Sequence, residues 1–253
     1  ADEVHYYDGE PWPPFADGGG SSLELRDPWA DNARAEAWNA SLEDRRSQWH
    51  HYSYTGVAIK PVYDPAIYFH EFVLGLLDEG QVLLDNISVV ENPHTNPVEL
   101  IQNGTFETDE IDTLPEMWRI QGTHDRSRVI QDPNDAQNKV LHLVADGPAN
   151  YLCNHAETTL AGGRTVVDGR EYMISYDAKW VTGSPLLRTE LYYNDVPKTT
   201  IVDMPAFSGT PGRQNSTYES DIGPTYSDFA QRPIVPSSQE DVSFSVRAND
   251  PDG

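Results

Sequence analysis

Asp85 carries the most demanding chemistry in this sequence, because it is a carboxylate set inside the apolar run 82–90, VLLDNISVV. Burying an unpaired carboxylate costs on the order of several kcal/mol, so this position calls for a cation or a set of hydrogen bonds. The histidines offer less. His50 and His51, with His70 and Glu71 farther on, suggest a metal cluster by composition, but adjacent residues of a strand project to opposite faces. They read as exposed or packing residues. No GxSxG elbow, HExxH, P-loop or GxGxxG occurs. Glycoside hydrolysis needs two carboxylates about 5 to 10 Å apart, and a chain with 41 acidic residues does not specify any such pair by spacing. The chain therefore reads as non-catalytic. Cys153 is the sole cysteine, which excludes an internal disulfide and a cysteine-based zinc site.

The elements that must position Asp85 are short and strand-like. Residues 72–77 (FVLGLL) and 82–90 are apolar runs separated by Asp78-Glu79-Gly80, which reads as a tight hairpin turn. Leu83, Ile87 and Val89 are expected on one face of the second run and Val82, Leu84 and Val90 on the other, which places it inside a sandwich. Further runs follow at 47–58, 99–107, 116–121, 124–132, 139–147, 151–160, 170–181 and 186–195, each bounded by Gly, Pro, Asn or Asp. That spacing predicts an all-β sandwich. No helix of three turns is predicted.

The 253 residues suffice for one large or two medium domains, and 38% hydrophobic content with 19 Pro and 18 Gly describes a globular, turn-rich chain. No apolar run approaches the ~20 residues of a spanning helix, so no membrane insertion is expected. The formal net charge of −24 disfavours nucleic acid and acidic lipid as partners, and suits solubility and recruitment of divalent cations. The sequons at Asn39, Asn86, Asn103 and Asn215 are only acceptor patterns.

Residues 3–46 hold strand candidates at Val4–Tyr7 and Ser21–Leu25, with turns at Asp31-Asn32 and at 39–41. The series YxD…PWPPxADGGGSSLELRDPxADN…AWNAS resembles the closing strands of a bacterial lamin-tail domain, an immunoglobulin-like sandwich of large extracellular proteins. Residues 209–216, GTPGRQNS, resemble the segment that closely follows AWNAS in that family. Together they imply that residues 47–206 are an insertion, which neighbouring termini tolerate. Residues 207–229 read as a polar linker or wrapping segment. Residues 232–253 read as a Pro-bounded entry and one strand, Val242, Phe244 and Val246, opening a further immunoglobulin-like or cadherin-like domain.

The bulk, 47–206, resembles carbohydrate-binding modules of families 4 and 9. The matching pieces are ELIQNGTFE…MWRIQG, KVLHLVADG, GREYMISYDAKW and SQWHHYSYTGVA…VLLDNISVVE. The order is reversed relative to those modules, since the closing strands precede the opening ones. One permuted jelly roll, or the end of one module followed by the start of another, would produce this; permutation is favoured because each half alone leaves open edges. The resemblance implies a jelly-roll, galactose-binding-like sandwich with flanking immunoglobulin-like strands. It also implies a structural Ca²⁺ held by Asp85, Glu107 and the Thr105 carbonyl, against which stands Asp85 as a mere cap of backbone amides. Sugar binding would use Trp118, His124, Trp180, Tyr192 and Tyr193, although Trp118 and Trp180 also suit the core, and Tyr192 and Tyr193 should point to opposite faces.

The sequence is thus read as four parts: 1–46, 47–206, 207–230 and 231–253. The expected role is a secreted or cell-surface module that binds a polysaccharide or glycoconjugate. The competing roles are a structural or adhesive spacer that meets other copies or neighbouring domains, and an accessory domain of a polysaccharide-degrading enzyme.

Overall fold

A computed structural model of the chain describes residues 4–7, 9, 11–59, 68–149 and 154–250. Cys153 and the Pro61–Pro65 link lie outside the described residues. The chain forms two compact units, one of residues 43–206 and one joining 1–42 to 207–253.

The 43–206 unit is a two-sheet sandwich. The runs predicted from the sequence become β3 (His50–Val57), β4 (Glu71–Leu76), β5 (Gly80–Glu91), β6 (Val98–Glu99), β7 (Trp118–Gln121), β8 (Arg128–Asp132), β9 (Asp135–Ala145), β10 (His155–Thr159), β11 (Glu171–Gly183) and β12 (Leu186–Leu191). A further strand, β13 (Asp195–Ile201), follows. One sheet has the order β13-β12-β4-β10-β7 and the other β3-β11-β5-β9-β8, with β6 paired to β5; every pairing is antiparallel. Strands from before residue 98 pair directly with strands from after it in both sheets, β4 with β10 and β12, and β3 and β5 with β11. Trp180, Tyr172, Tyr176, Phe72 and Phe106 are the largest side chains wholly withdrawn between the sheets, each contributing about 1.5–3 kcal/mol by leaving water.

Several local expectations are corrected. The turn at 78–80 does not close a hairpin. β4 pairs with β10 and β12 in one sheet and β5 with β9 and β11 in the other, so this turn carries the chain across the sandwich. Two runs buried on both faces suit central strands of separate sheets equally well. The faces of β5 also differ from expectation. Val82, Leu84, Ile87 and Val89 point inward, while Leu83 packs on the outside with Val140 and Val181. The cause is a β-bulge: Ser88 pairs with Ser175 and Asp85 with Asp177, leaving two residues of β5 opposite one of β11, with Asn86 at a φ of 50°. The run at 99–107 is strand only at its start. Beyond it the chain loops back, and the Gly104 carbonyl accepts the Ile87 N–H at 2.9 Å.

In the other unit, β1 (Leu23–Leu25) pairs with β2 (Trp38–Ala40), so residues 39 and 40 are strand where a turn was expected. Residues 4–7 are not strand. Glu24, 4% exposed, fastens the segment after residue 206 to this pair: its carboxylate accepts the Thr210 hydroxyl at 2.6 Å and the Ser216 N–H at 2.7 Å. Asn215 adds a bond to the Leu25 carbonyl at 2.8 Å. The expected linker ends in a strand, β14 (Thr225–Arg232), which pairs with β15 (Ser243–Asn249) as a ribbon. Its alternating residues Tyr226, Asp228 and Ala230 carry a weak strand pattern hidden by polar neighbours.

Candidate functional site

The outer face of the five-stranded sheet is built by simple alternation. In β7, Trp118 and Ile120 face the core and Arg119 and Gln121 face out; in β10, Ala156 and Thr158 face in and His155 and Glu157 out; in β12, Leu187 and Thr189 face in and Arg188 and Glu190 out. Register then lines these residues up. Glu190 pairs with Val73, Val73 with Glu157, and Glu157 with Arg119, giving one polar row across four strands. Arg188 pairs with Gly75 in the adjoining row, which ends at Gln121 opposite His155. The long side chains stand at the flanks and the shortest, Gly75 and Val73, lie at the middle. The result is a shallow groove with a water-sized hollow of about 20 Å³ lined by Val73, Gly75, Leu77, His155, Arg188 and Glu190 among others.

The groove is charged but internally matched. Arg119 donates to Glu157 at 2.7 Å, and His155 Nε2 stands 3.3 Å from the second Glu157 oxygen. His155 and Arg119 together hold the Glu157 carboxyl down at about 2, against the opposing effect of burial. Arg188 grips one oxygen of Glu190 at 2.8 and 2.9 Å and reaches Asn194 at 2.7 Å. The other Glu190 oxygen is buried without a hydrogen-bond partner, and Glu190 as a whole is 2% exposed.

Aromatic rings stand beside the groove. Tyr192 and Tyr193 have centroids 5.5 Å apart, and Phe69 lies 5.1 Å from the first and 6.1 Å from the second. Tyr192 donates its N–H to the Glu71 carbonyl at 2.9 Å just beyond the end of β12, and burial first, then the charges of Tyr193, Glu157, Glu71 and Glu190, raise its phenol. The two tyrosines do not diverge as expected. β12 ends at Leu191, so strand alternation does not govern the turn in which they sit.

The other residues singled out for sugar binding lie elsewhere. Trp180 is fully buried with its Nε1 on the Gly183 carbonyl at 3.0 Å. Trp118, 6% exposed, packs between Phe72 and Phe106 and donates to the Asn103 carbonyl at 2.7 Å. His124 is fully buried; its Nε2 accepts the Leu76 N–H at 3.0 Å, and burial lowers it to about 4, so it is a neutral structural ring. These three residues are inward because bulky rings gain most from burial. The groove residues Arg119, Gln121, His155, Glu157, Arg188 and Glu190 were missed by sequence reasoning, although strict alternation with Trp118, Ala156 and Leu187 marks each as outward.

The proposed metal ligands lie on the opposite side of the unit. Asp85 is 6% exposed and accepts the Asn86 N–H at 2.7 Å and the Asn138 amide at 3.1 Å. Burial raises it to about 6, and the nearby charges of Glu107 and Asp177 push the same way. No cationic side chain among the described residues is paired with it. Asp177 in turn holds His51 at 2.7 Å and the Asn86 amide at 2.8 Å, while His50 turns away to Asp203 at 3.2 Å. Glu107 is exposed, with one oxygen 3.3 Å from the Lys139 N–H, and Lys139 Nζ bonds the carbonyls of Glu107 and Asp109 at 3.0 and 2.6 Å. Thr105 is exposed. No cluster of three or more His, Cys, Asp or Glu side chains arranged to hold a metal occurs among the described residues. Nor is any helix among them long and apolar enough to cross a membrane.

In comparison with known proteins, the chain matches no family model, no curated protein and no solved structure.

Proposed function

We propose that the 43–206 unit is a non-catalytic, extracellular carbohydrate-binding module of jelly-roll type, using the groove on its five-stranded sheet. The observation that carries this reading is the polar row of Arg119, Glu157 and Glu190 along the groove, with the Tyr192 and Tyr193 rings following Leu191 at the end of β12. Arg119, Gln121, Glu157 and Asn194 bond sugar hydroxyls, Glu190 holds Arg188 and through it Asn194 in place, and a sugar ring stacks on a tyrosine. Calcium belongs to the same reading as a stabiliser on the far side. Three carboxylates, Asp85, Glu107 and Asp177, influence one another there, and a divalent cation would relieve the raised Asp85. Their fit is electrostatic, since carboxylates supply only part of the ~6 to 8 oxygens that Ca²⁺ takes. Glycan-array and polysaccharide-retention measurements test the binding role. Retention lost in Tyr192→Ala and in Glu190→Gln, with melting unchanged, supports it; no retention by the wild type on any glycan removes it.

A second reading, a structural or adhesive element, is favoured by the β14–β15 ribbon. Phe229 and Phe244 are each 76% exposed, and Ile234 and Val235 beside them 85% and 84%. Apolar side chains so exposed on a two-stranded ribbon mark an association surface. Sedimentation across a range of concentrations, with Phe229→Ser and Phe244→Ser as comparison, separates this role from sugar binding.

A further inference from the structure

On the outer face of the six-stranded sheet, Lys179 is fully buried and its Nζ makes no hydrogen bond. The ammonium lies 5.8 Å from the centre of the Trp49 ring, in the apolar patch of Leu83, Val140, Val181 and Ile130. Among the described residues, the one carboxylate within ion-pair reach is Asp132, 5% exposed, whose Oδ1 stands 3.9 Å from Nζ. Both oxygens of Asp132 are already held, Oδ1 by the Asn134 N–H and Oδ2 by Trp49 Nε1–H, each at 2.9 Å. A lysine and an aspartate so enclosed and not hydrogen-bonded to each other are a poor arrangement for an ion pair. It is a good arrangement for condensation.

We propose that Lys179 and Asp132 join in an intramolecular amide between Nζ and Cγ, a covalent staple that ties β11 to the β8–β9 hairpin. Burial lowers the lysine toward its neutral form, with the charges of Asp132 and Asp44 opposing. A proton passes from the ammonium to Oδ1 of Asp132, the freed Nζ lone pair adds to Cγ of the resulting carboxylic acid, and the C–N bond forms as the C–O π bond opens. The tetrahedral oxyanion is met by donors already in place, the Asn134 N–H and Trp49 Nε1–H. One carboxyl oxygen then leaves as water, carrying two protons from the original ammonium. The overall change is ammonium plus carboxylate to amide plus water, with charge balanced and no outside reagent. Exclusion of solvent by Trp49 favours loss of the water.

Intact mass spectrometry of the whole denatured chain tests this directly. The expected mass is one water below that of the sequence, with a proteolytic fragment joining the segment of Asp132 to that of Lys179. Lys179→Arg restores the full mass. A wild-type mass equal to the sequence overturns the proposal, as does a water loss mapped to an aspartyl succinimide or to any other pair. The wild-type measurement decides alone, whether or not the arginine variant folds.

Discussion

Replacing Asp85 by asparagine removes a charge while keeping the shape and the bond to Asn86. In the folded protein burial raises this carboxyl from its ordinary 3.8 to about 6, opposed by the Asn86 and Asn138 bonds and reinforced by Glu107 and Asp177. The folded state holds the proton more tightly than the unfolded state. The stability this group contributes is therefore fully present below pH 3.8 and lost as the pH rises through about 6. Two pH units at ~1.4 kcal/mol each amount to about 3 kcal/mol. Glu107 is exposed and Asp177 half-buried, so screening reduces this to about 1.5 kcal/mol. For a unit of this size, Asp85→Asn should melt about 3–6 °C above wild type at neutral pH in chelator, the difference vanishing near pH 4. Calorimetry from pH 4 to 8 reads it. Millimolar calcium should raise wild type and leave the variant unchanged, closing the gap. A variant that melts below wild type in chelator at neutral pH refutes the reasoning, because the carboxylate's hydrogen bonds would then outweigh its desolvation.

Three further outcomes follow from the packing. Gly104→Ala would set a Cβ 1.9 Å from the Ile87 carbonyl oxygen, a backbone clash that should cost about 4 kcal/mol or more in denaturant unfolding. Glu91, 1% exposed, receives Arg164 at 2.6 Å, Arg170 at 2.8 Å and the Tyr172 hydroxyl at 3.3 Å; Glu91→Ala should cost about 3 kcal/mol rather than 5, since both half-exposed guanidiniums can rehydrate. His124 and His142 are both lowered to about 4 by burial, so the unfolded chain takes up protons first and their contribution falls away as pH drops from 6.5 toward 4. Melting of His124→Gln/His142→Gln against wild type over that range should show a flatter acid slope.

Much of the fold was legible because its strands are bounded by turn residues, and nine of the ten runs read between residues 47 and 206 coincide with strands. What failed has local causes. β13 was missed because Pro197 argues against a strand, yet β13 is the edge of its sheet, where a missing N–H costs nothing. The face assignment of β5 failed for Val82, Leu83 and Leu84 relative to Ile87 and Val89, because alternation inverts across the bulge at Asn86, whose only sign in the sequence is the Asp85-Asn86 pair inside an apolar run. The candidate site was less legible for a physical reason. Aromatic residues were offered as ligand platforms with the core as the competing place for Trp118 and Trp180, and the core is where both rings lie. The groove is instead made by what alternates with them, and its floor exists because Gly75 contributes no side chain. A residue that acts by being small leaves almost no mark in composition. It becomes visible only when register sets Arg188 opposite Gly75, and Glu190 and Glu157 on either side of Val73, so that the trough and the unmatched carboxylate oxygen come into view together.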